Sequence, residues 1–221
     1  MDQTVLITGA NRGIGFQTAK ELASRGFRVF VGARVGHMGA EAAAKIGARA
    51  EALTIDVSDS ASIQKAASKL AEIVERLDVL INNAGIYPDK GVSILDVSRE
   101  RLVDTFQTNT CGPVVVTQAF LPLLRKSKAA RVINVSSGYG QLDGLSPAVP
   151  SYCLSKLALN GVTIRHSRRA FAGTAAEPSV ARSEAALALA GAEVSTPSRT
   201  LLEYSRHFAY VVVEILHAPL R

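Results

Sequence analysis

Short apolar runs alternate with helix-forming segments along the first 135 residues, and this alternation restricts the fold more than any other feature. The intervening segments repeat apolar residues at helical spacing, as at Ile63, Ala66 and Leu70. Strands separated by helices of about 10 to 15 residues form right-handed βαβ units. The pattern predicts an α/β fold, a doubly wound parallel sheet flanked by helices. The predicted strands are 5–7, 28–34, 52–55, 79–81 and 131–135, and the predicted helices begin at about Gly13 or span 37–46, 61–75, 100–108 and 114–126.

A glycine-rich turn, TGANRGIG at residues 8–15, joins the first strand to the first helix. Its glycines permit a tight turn and let the backbone approach a pyrophosphate. The helix that follows offers free amides and the positive end of its dipole to that anion. Because a strand precedes the turn and a helix follows it, we predict that this segment binds a dinucleotide.

Two arginines favour NADP(H) over NAD(H). A dinucleotide fold places the group that meets the adenosine ribose about 20 residues after the glycine turn, at the end of the second strand. That strand ends in Arg34, with no carboxylate, and Arg12 lies inside the turn. An arginine there pairs with a 2′-phosphate. The alternative is that both are solvated surface arginines.

The pair Tyr152 and Lys156 predicts a proton-transfer site. Residues four apart on a helix lie on one face. A lysine ammonium beside a phenol favours the phenolate, which makes the tyrosine usable as a proton donor and acceptor near neutral pH. In isolation such a pair is more often part of a solvated helix face. Ser136 and Ser137, which end the fifth strand, and the upstream Asn109 support the catalytic interpretation.

Composition excludes several other functions. A net charge of +6 in 221 residues, without a basic cluster interleaved with aromatics, argues against nucleic acid as a partner. Cys111 and Cys153 are too few for a disulfide framework or a metal site, and the histidines lack metal-ligand spacing, so no metal is predicted. No apolar run approaches the roughly 20 residues of a membrane span. These features predict a cytoplasmic protein without membrane contact.

Together these motifs resemble the short-chain dehydrogenase/reductase family over about residues 3–164. TGANRGIG resembles its glycine motif, NNAG at 82–85 its strand-four motif, and Asn109, Ser137, Tyr152 and Lys156 its catalytic tetrad. Ser136 is the alternative serine, but comparison with the family favours Ser137. The resemblance implies a Rossmann-like fold and an oxidoreductase that interconverts a small-molecule carbonyl and an alcohol with NADP(H).

The resemblance also implies roles for individual residues. Tyr152 exchanges the proton, and Lys156 lowers its pKa and bonds the nicotinamide ribose. Ser137 polarises the carbonyl, and Asn109 holds a water on a proton relay. Asp56 meets the adenine amino group, unless it is only a helix N-cap or turn residue, and Asn82 ties strand ends together. The implied cofactor-binding residues are Gly9, Asn11, Arg12, Gly13, Ile14, Gly15, Arg34, Asp56, Val57, Asn83, Ala84, Gly85, Tyr152 and Lys156.

The chain departs from the family after Ile164. Family members continue the active-site helix for two or three turns and then form a sixth strand that ends in a Pro-Gly turn over the nicotinamide. Residues 165–221 contain no Pro-Gly, and they include seven Arg but no Lys, Asp, Asn, Gln or Met. We therefore divide the chain into a dinucleotide-binding and catalytic domain, 1–164, and a divergent segment, 165–221, with C-terminal strands missing or altered.

Three explanations of this tail remain open. The first is a frame-shifted or alternatively spliced end. The second is a genuine divergent end with a late strand at 208–216, and the third is a separate interaction appendage. A frame-shifted tail would retain helix-forming stretches such as 181–192 without being selected to pack. The edge of the fifth strand would then lack a partner and invite aggregation.

The tail leaves two functions in competition. The first is an active NADPH-dependent carbonyl reductase or alcohol dehydrogenase. The second is a nucleotide-binding but catalytically impaired homologue that acts by binding or interaction. The helices at about 100–126 and 151–164 are candidate surfaces for a homo-oligomer. The residues that would select the substrate lie in 138–151 and in the tail.

Overall fold

The computed structural model describes residues 3–142, 145–170, 179–182 and 210–216, and it describes side chains up to residue 164. Within these ranges the chain forms seven strands and six α-helices. The strands are β1 (Thr4–Ile7), β2 (Arg28–Ala33), β3 (Ala50–Thr54), β4 (Val79–Asn82), β5 (Ala130–Val135), β6 (Ser179–Arg182) and β7 (Tyr210–Leu216). The helices are α1 (Gly13–Ser24), α2 (Gly36–Ile46), α3 (Ser60–Ile73), α4 (Arg99–Phe106), α5 (Gly112–Leu124) and α6 (Pro150–Ala170).

All these strands belong to one sheet in the order β3-β2-β1-β4-β5-β7-β6. The first five pair in parallel, with Leu6 opposite Phe30 on one side and Leu80 on the other. The strand order reverses between β1 and β4, which is where open α/β sheets bind ligands. The predicted doubly wound parallel sheet is confirmed for these five strands.

Strands β1, β2, β4 and β5 are largely buried on both faces, and alternate residues contribute to two separate cores. Val5 and Ile7 of β1 pack with residues of α1 and α2. Leu6, between them, packs on the other face with residues of α3 and α5. Because neighbouring side chains of a strand point to opposite faces, a continuous apolar run is needed to fill both layers. This requirement explains the short apolar runs of the sequence.

The helices predicted at 100–108 and 114–126 form one continuous rod. A π-helical turn, Gln107–Cys111, joins α4 to α5. Gly112 begins α5 against Val57, where an added Cβ would lie 2.8 Å from the carbonyl oxygen of Val57. Single π turns often mark functional positions, and this one contains the predicted catalytic residue Asn109.

The C-terminal part continues the same sheet. Helix α6 runs without a break through Ile164 to Ala170, so the helical pattern does not fail where the sequence suggested. Strand β7 pairs antiparallel with β5, from Ala130 opposite Leu216 to Val135 opposite Val211. The expectation that the β5 edge would be left without a partner is therefore wrong, whereas a late strand within 208–216 is confirmed over 210–216.

Strand β6 pairs antiparallel with β7. Of the stretch 181–192 that was predicted as helix-forming, residues 181 and 182 are in this strand and the others lie outside the described residues. Helix α6 packs against β7, against α4 and against the π turn. In the part of the chain that the structure describes, every helix is too short or too polar to cross a bilayer.

Candidate active site

The glycine turn leaves the start of α1 open to an anion. Gly9 and Gly13 have positive φ angles of 64° and 61°, a region that glycine enters without strain. A Cβ on Gly9 would lie 2.8 Å from the Cα of Ala84, so the turn can lie this close to β4 only with glycine. Helix α1 has no acidic residue in its first turn and no side-chain cap on its amides. Its N-terminus can therefore bind a phosphate group.

Hydrogen bonds from the end of β4 hold this turn in place. The Nδ2 of Asn83 donates to the carbonyl oxygens of Thr8 (2.9 Å) and Gly9 (3.1 Å). The Thr8 hydroxyl in turn accepts from the backbone amides of Asn83 (3.0 Å) and Ala84 (3.1 Å). The Asn83 side chain thus shapes the glycine turn, a contribution that the sequence analysis did not assign to it.

A cavity of about 690 Å³ opens at the carboxyl ends of the parallel strands. Its lining includes ten of the predicted cofactor-binding residues: Gly9, Asn11, Arg12, Gly13, Arg34, Asp56, Val57, Asn83, Ala84 and Gly85. The other four predicted residues, Ile14, Gly15, Tyr152 and Lys156, do not line it. Sequence reasoning missed five lining residues, Val35, Met38, Ile55, Ile86 and Thr108. They belong to no motif, although all except Met38 are next to a predicted site residue in the sequence.

The two arginines at one end of the cavity are exposed, and neither forms an ion pair within the described residues. Arg12 precedes α1 and Arg34 follows β2. Nothing in the described part of the chain neutralises these cations, which suits an anionic group in the cavity. Asp56 forms a turn, because its Oδ1 accepts from the amide (2.9 Å) and hydroxyl (2.6 Å) of Ser58. The N-cap of α3 is Asp59.

Lys156 is buried at the inner end of the site. Its side chain lies on α6, and its Nζ donates to the carbonyl oxygen of Val135 at 2.7 Å. Burial lowers its pKa from 10.5 to about 8. A Cβ on Gly85 would lie 3.7 Å from this Nζ and 3.2 Å from the Oδ1 of Asn109. The NNAG glycine therefore lets the cavity wall approach both predicted catalytic side chains.

Tyr152 lies one turn before Lys156, with its ring centroid 5.9 Å from Nζ. Burial raises the pKa of its phenol, and a hydrogen bond with the buried Ser137 acts in the opposite direction. The predicted lowering by Lys156 is not found: the ammonium is directed to Val135 and is not among the groups that shift this pKa. The predicted proximity of Ser137, Tyr152 and Lys156 is nevertheless present.

Asn109 connects three elements at the back of the site. Its Oδ1 accepts from the amide of Ile86 at 2.8 Å, and its Nδ2 donates to the carbonyl oxygen of Ile86 at 2.9 Å and to the hydroxyl of Ser155 at 3.0 Å. Its side chain is fully buried. These bonds fix the cavity wall relative to α6, so Asn109 has a clear structural role whether or not it also holds a water.

Two further tyrosines surround the phenol of Tyr152, and sequence reasoning did not identify them. The ring of Tyr87 packs edge-on against that of Tyr152 with centroids 4.5 Å apart, and the ring of Tyr139 lies at 6.3 Å. Tyr87 remains 38% exposed, so it lies between the site and solvent. Among the described residues, no group of histidine, cysteine and acidic side chains could hold a metal ion.

Chemically, the site combines an anion-binding turn, two arginines that form no ion pair with the described residues, and a partly buried phenol that is hydrogen-bonded to a serine and lies near an ammonium. Glycines leave room for a ligand where side chains would block it. The residues therefore fit a dinucleotide with its phosphate groups at the start of α1. Such a site can exchange a proton with a substrate oxygen.

Known proteins are similar to this chain in both sequence and fold. Residues 3–172 match the family described as short chain dehydrogenase. A short-chain dehydrogenase of Penicillium roqueforti is 38% identical over 176 residues, 72% of this chain and 69% of that protein. An NADPH-dependent pterin aldehyde reductase of Arabidopsis thaliana is 34% identical over 163 residues, 73% of this chain and 66% of that protein. The chain thus spans about two thirds of the length of these relatives.

A solved structure agrees with this result. The NADPH-bound carbonyl reductase from chicken fatty liver superposes with a TM-score of 0.70 at 32% identity, covering 76% of this chain and 74% of that one. The family match continues to residue 172, beyond the limit of 164 that the motifs suggested. On sequence, fold and site geometry together, the chain belongs to the short-chain dehydrogenase family of oxidoreductases.

Proposed function

We propose that this protein is an NADP(H)-dependent oxidoreductase that interconverts a carbonyl and an alcohol by hydride transfer, with Tyr152 as the general acid and base. The observation that carries the proposal is the position of the Tyr152 phenol. It is partly buried, hydrogen-bonded to Ser137 and near the ammonium of Lys156, beside a cavity that suits a dinucleotide. The family supports the reaction class, oxidation or reduction at a carbon bearing oxygen.

Preference for NADP(H) rests on charge. A 2′-phosphate adds about two negative charges, and a guanidinium can pair with it through two hydrogen bonds. Arg34 and Arg12 line the cavity, and neither forms an ion pair with another residue of the described ranges. Asp56, the acidic residue in the cavity lining, already uses Oδ1 in its own turn. Two of the similar proteins are described as NADPH-dependent or NADPH-bound, which supports the same assignment.

The cofactor, when bound, supplies or accepts the hydride at the substrate carbon. In the reducing direction, Ser137 donates a hydrogen bond to the substrate carbonyl oxygen, and Tyr152 transfers its phenolic proton to that oxygen as negative charge develops. The carbonyl gains one hydride and one proton and becomes the alcohol. The Lys156 ammonium would hydrogen-bond the ribose of the nicotinamide, the role that the family resemblance implies for it. Because its pKa is about 8, Lys156 is mostly protonated at pH 7 and loses this charge in mild alkali.

The direct test is NADPH consumption, followed by its absorbance, with a panel of aldehydes, ketones and quinones. Tyr152→Phe keeps the ring and its contact with Tyr87 but removes the proton. We expect it to reduce kcat by at least about 100-fold, the range of general acid catalysis, while the Kd for NADPH stays nearly unchanged. Tyr139→Phe is a matched control that removes a neighbouring phenol. A Tyr152→Phe variant with most of the wild-type rate would refute this role.

A second candidate is a nucleotide-binding homologue without turnover. The feature that favours it is the antiparallel pairing of β7 with β5, in a chain with no Pro-Gly after Ile164. Family members close over the nicotinamide with a Pro-Gly turn that follows a sixth strand. Both candidates bind NADPH, but only the first consumes it steadily. Binding measured by titration, together with an inactive substrate panel, would favour the second.

We also propose a homo-oligomer through the helices at about 100–126 and 151–164. In α4, Val103 is 56% exposed, and in α6, Ile164 is 37% exposed. Burying such apolar side chains between copies would be favourable. Light scattering of the wild-type protein and of Val103→Glu should show a loss of assembly in the variant, whereas an unchanged mass would argue against this surface.

A further inference from the structure

We infer that Asp89 is a positioning residue for Tyr152, holding the first turn of α6 so that the phenol stays in place beside Ser137. The inference rests on the proposed role of Tyr152. Asp89 lies in the loop after β4, four residues beyond the NNAG glycine, and none of the sequence motifs includes it. It belongs to the few acidic side chains that the described part of the fold buries completely.

One carboxylate oxygen of Asp89 makes three contacts with the start of α6. Its Oδ2 accepts from the backbone amide of Ser151 at 2.6 Å, from the Ser151 hydroxyl at 2.7 Å and from the backbone amide of Tyr152 at 3.4 Å. The first amides of a helix have no partner within the helix. Asp89 satisfies two of them, and one belongs to the proposed catalytic residue itself.

The same loop is fixed at its other end. The amide of Gly91 donates to the carbonyl oxygen of Ala148 at 2.9 Å, just before α6 begins. Ile86, three residues before Asp89, lines the cavity, and both its backbone amide and its carbonyl oxygen are hydrogen-bonded to the side chain of Asn109. The loop therefore connects the cavity wall to the backbone of Tyr152 by a short path of hydrogen bonds.

The other carboxylate oxygen, Oδ1, is buried and has no hydrogen-bond partner within the described residues. A buried carboxylate with an unsatisfied oxygen is costly. Serine or asparagine would cap a helix without this charge. The contacts of Asp89 to α6 all come from Oδ2, so the position of this one acceptor oxygen holds both amides in one arrangement.

Asp59 provides a matched control, because it also caps a helix of this fold. Its side chain accepts from the amide of Ala61 at 2.9 Å at the start of α3, on the surface and away from Tyr152. Asp89→Ala and Asp59→Ala each remove a helix cap, but only the first removes contacts to Tyr152. Asp89→Asn is the conservative variant, since its amide oxygen can still accept from both α6 amides.

In the activity arm, Asp89→Ala should lower kcat by about 10- to 100-fold, the cost of a displacement of about 1 Å in a reacting group. The Kd for NADPH should stay within about two-fold, because Asp89 does not line the cavity. Asp89→Asn should regain most of kcat, and Asp59→Ala should leave kcat unchanged. An Asp89→Ala protein that is folded and keeps the wild-type kcat would overturn the inference.

A second arm does not depend on turnover. The chain contains five tyrosines, so fluorotyrosine labelling gives a few ¹⁹F signals, and Tyr152→Phe identifies the signal of Tyr152. We expect Asp89→Ala to shift or broaden that signal, while Asp59→Ala leaves it in place. An unchanged signal would overturn the inference. A wild-type protein without turnover would instead count against the proposed function, and the ¹⁹F result would still decide the role of Asp89.

Discussion

Replacing Lys156 with methionine should stabilise the folded protein at pH 7 while removing its turnover. Methionine has a similar length and no charge. The lysine side chain is 4% exposed, and burial lowers its pKa from 10.5 to about 8. The folded state therefore holds an ammonium whose hydration has largely been lost. We expect this site to cost stability because the ammonium is kept for function.

The magnitude follows from the pKa. One pKa unit corresponds to about 1.4 kcal/mol, so a fall from 10.5 to about 8 corresponds to about 3 kcal/mol of burial cost at pH 7. Methionine avoids this cost but loses the 2.7 Å bond from Nζ to the carbonyl oxygen of Val135, worth about 1 to 2 kcal/mol. The variant should therefore be more stable than the wild type by about 1 to 2 kcal/mol at pH 7.

The pH dependence distinguishes this cause from simple repacking. Between about pH 8 and 10.5 the unfolded wild type binds more protons than the folded state, so wild-type stability rises with pH in this window. The advantage of Lys156→Met should be complete below pH 8, shrink through this window and reverse in sign above it, where only the lost hydrogen bond remains.

Urea denaturation of both proteins without cofactor, followed by circular dichroism from pH 7 to pH 10, measures this difference. Lys69→Met is the control, because Lys69 is exposed on α3 and its substitution should change stability by less than about 0.5 kcal/mol at every pH. A Lys156→Met protein that is destabilised at pH 7, or whose difference from wild type does not vary with pH, would refute the reasoning.

Two further substitutions test the cofactor end of the site. Arg34→Asp should weaken NADPH binding by about 1.5 to 3 kcal/mol, roughly 10- to 150-fold, and change NADH binding little; equal losses in titrations of both cofactors would mean that Arg34 does not contact the 2′-phosphate. Gly9→Ala should reduce both stability and cofactor affinity, because its Cβ would lie 2.8 Å from the Cα of Ala84. Gly26 also has a positive φ, but a Cβ added there would meet nothing within 4 Å. Gly26→Ala should therefore lower the free energy of unfolding, measured by thermal denaturation, by only about 1 to 2 kcal/mol.

The first five strands, their helices and most of the cavity could be predicted because they depend on local patterns. Apolar runs of strand length occur where both faces of the sheet are covered, and Gly9 and Gly13 occur where the turn requires a positive φ. The carboxyl ends of parallel strands meet at one edge, so polar residues there converge. Ten predicted cofactor-binding residues consequently line one cavity.

The features that were missed depend on contacts between distant segments. Nothing near Asp89 in the sequence indicates that its carboxylate reaches Ser151, 62 residues later. The π turn at Asn109 gives no signal in the sequence, since its residues also suit an ordinary helix. The pKa of Tyr152 was predicted in the wrong direction because burial, which raises it, cannot be read from the spacing of tyrosine and lysine.

The pairing of β7 with β5 has a consequence for how the chain reaches its folded state. The paired residues lie about 80 positions apart in sequence, whereas each parallel pair within β1–β3 can form once a single βαβ unit is complete. During synthesis from the N-terminus, β5 is finished long before its antiparallel partner exists. The order of synthesis therefore leaves a strand edge of six residues, Ala130–Val135, open to other chains until residues 210–216 are made. A protein truncated before residue 210 should be far more prone to aggregate than the full chain, even though every residue of the candidate site is present in it.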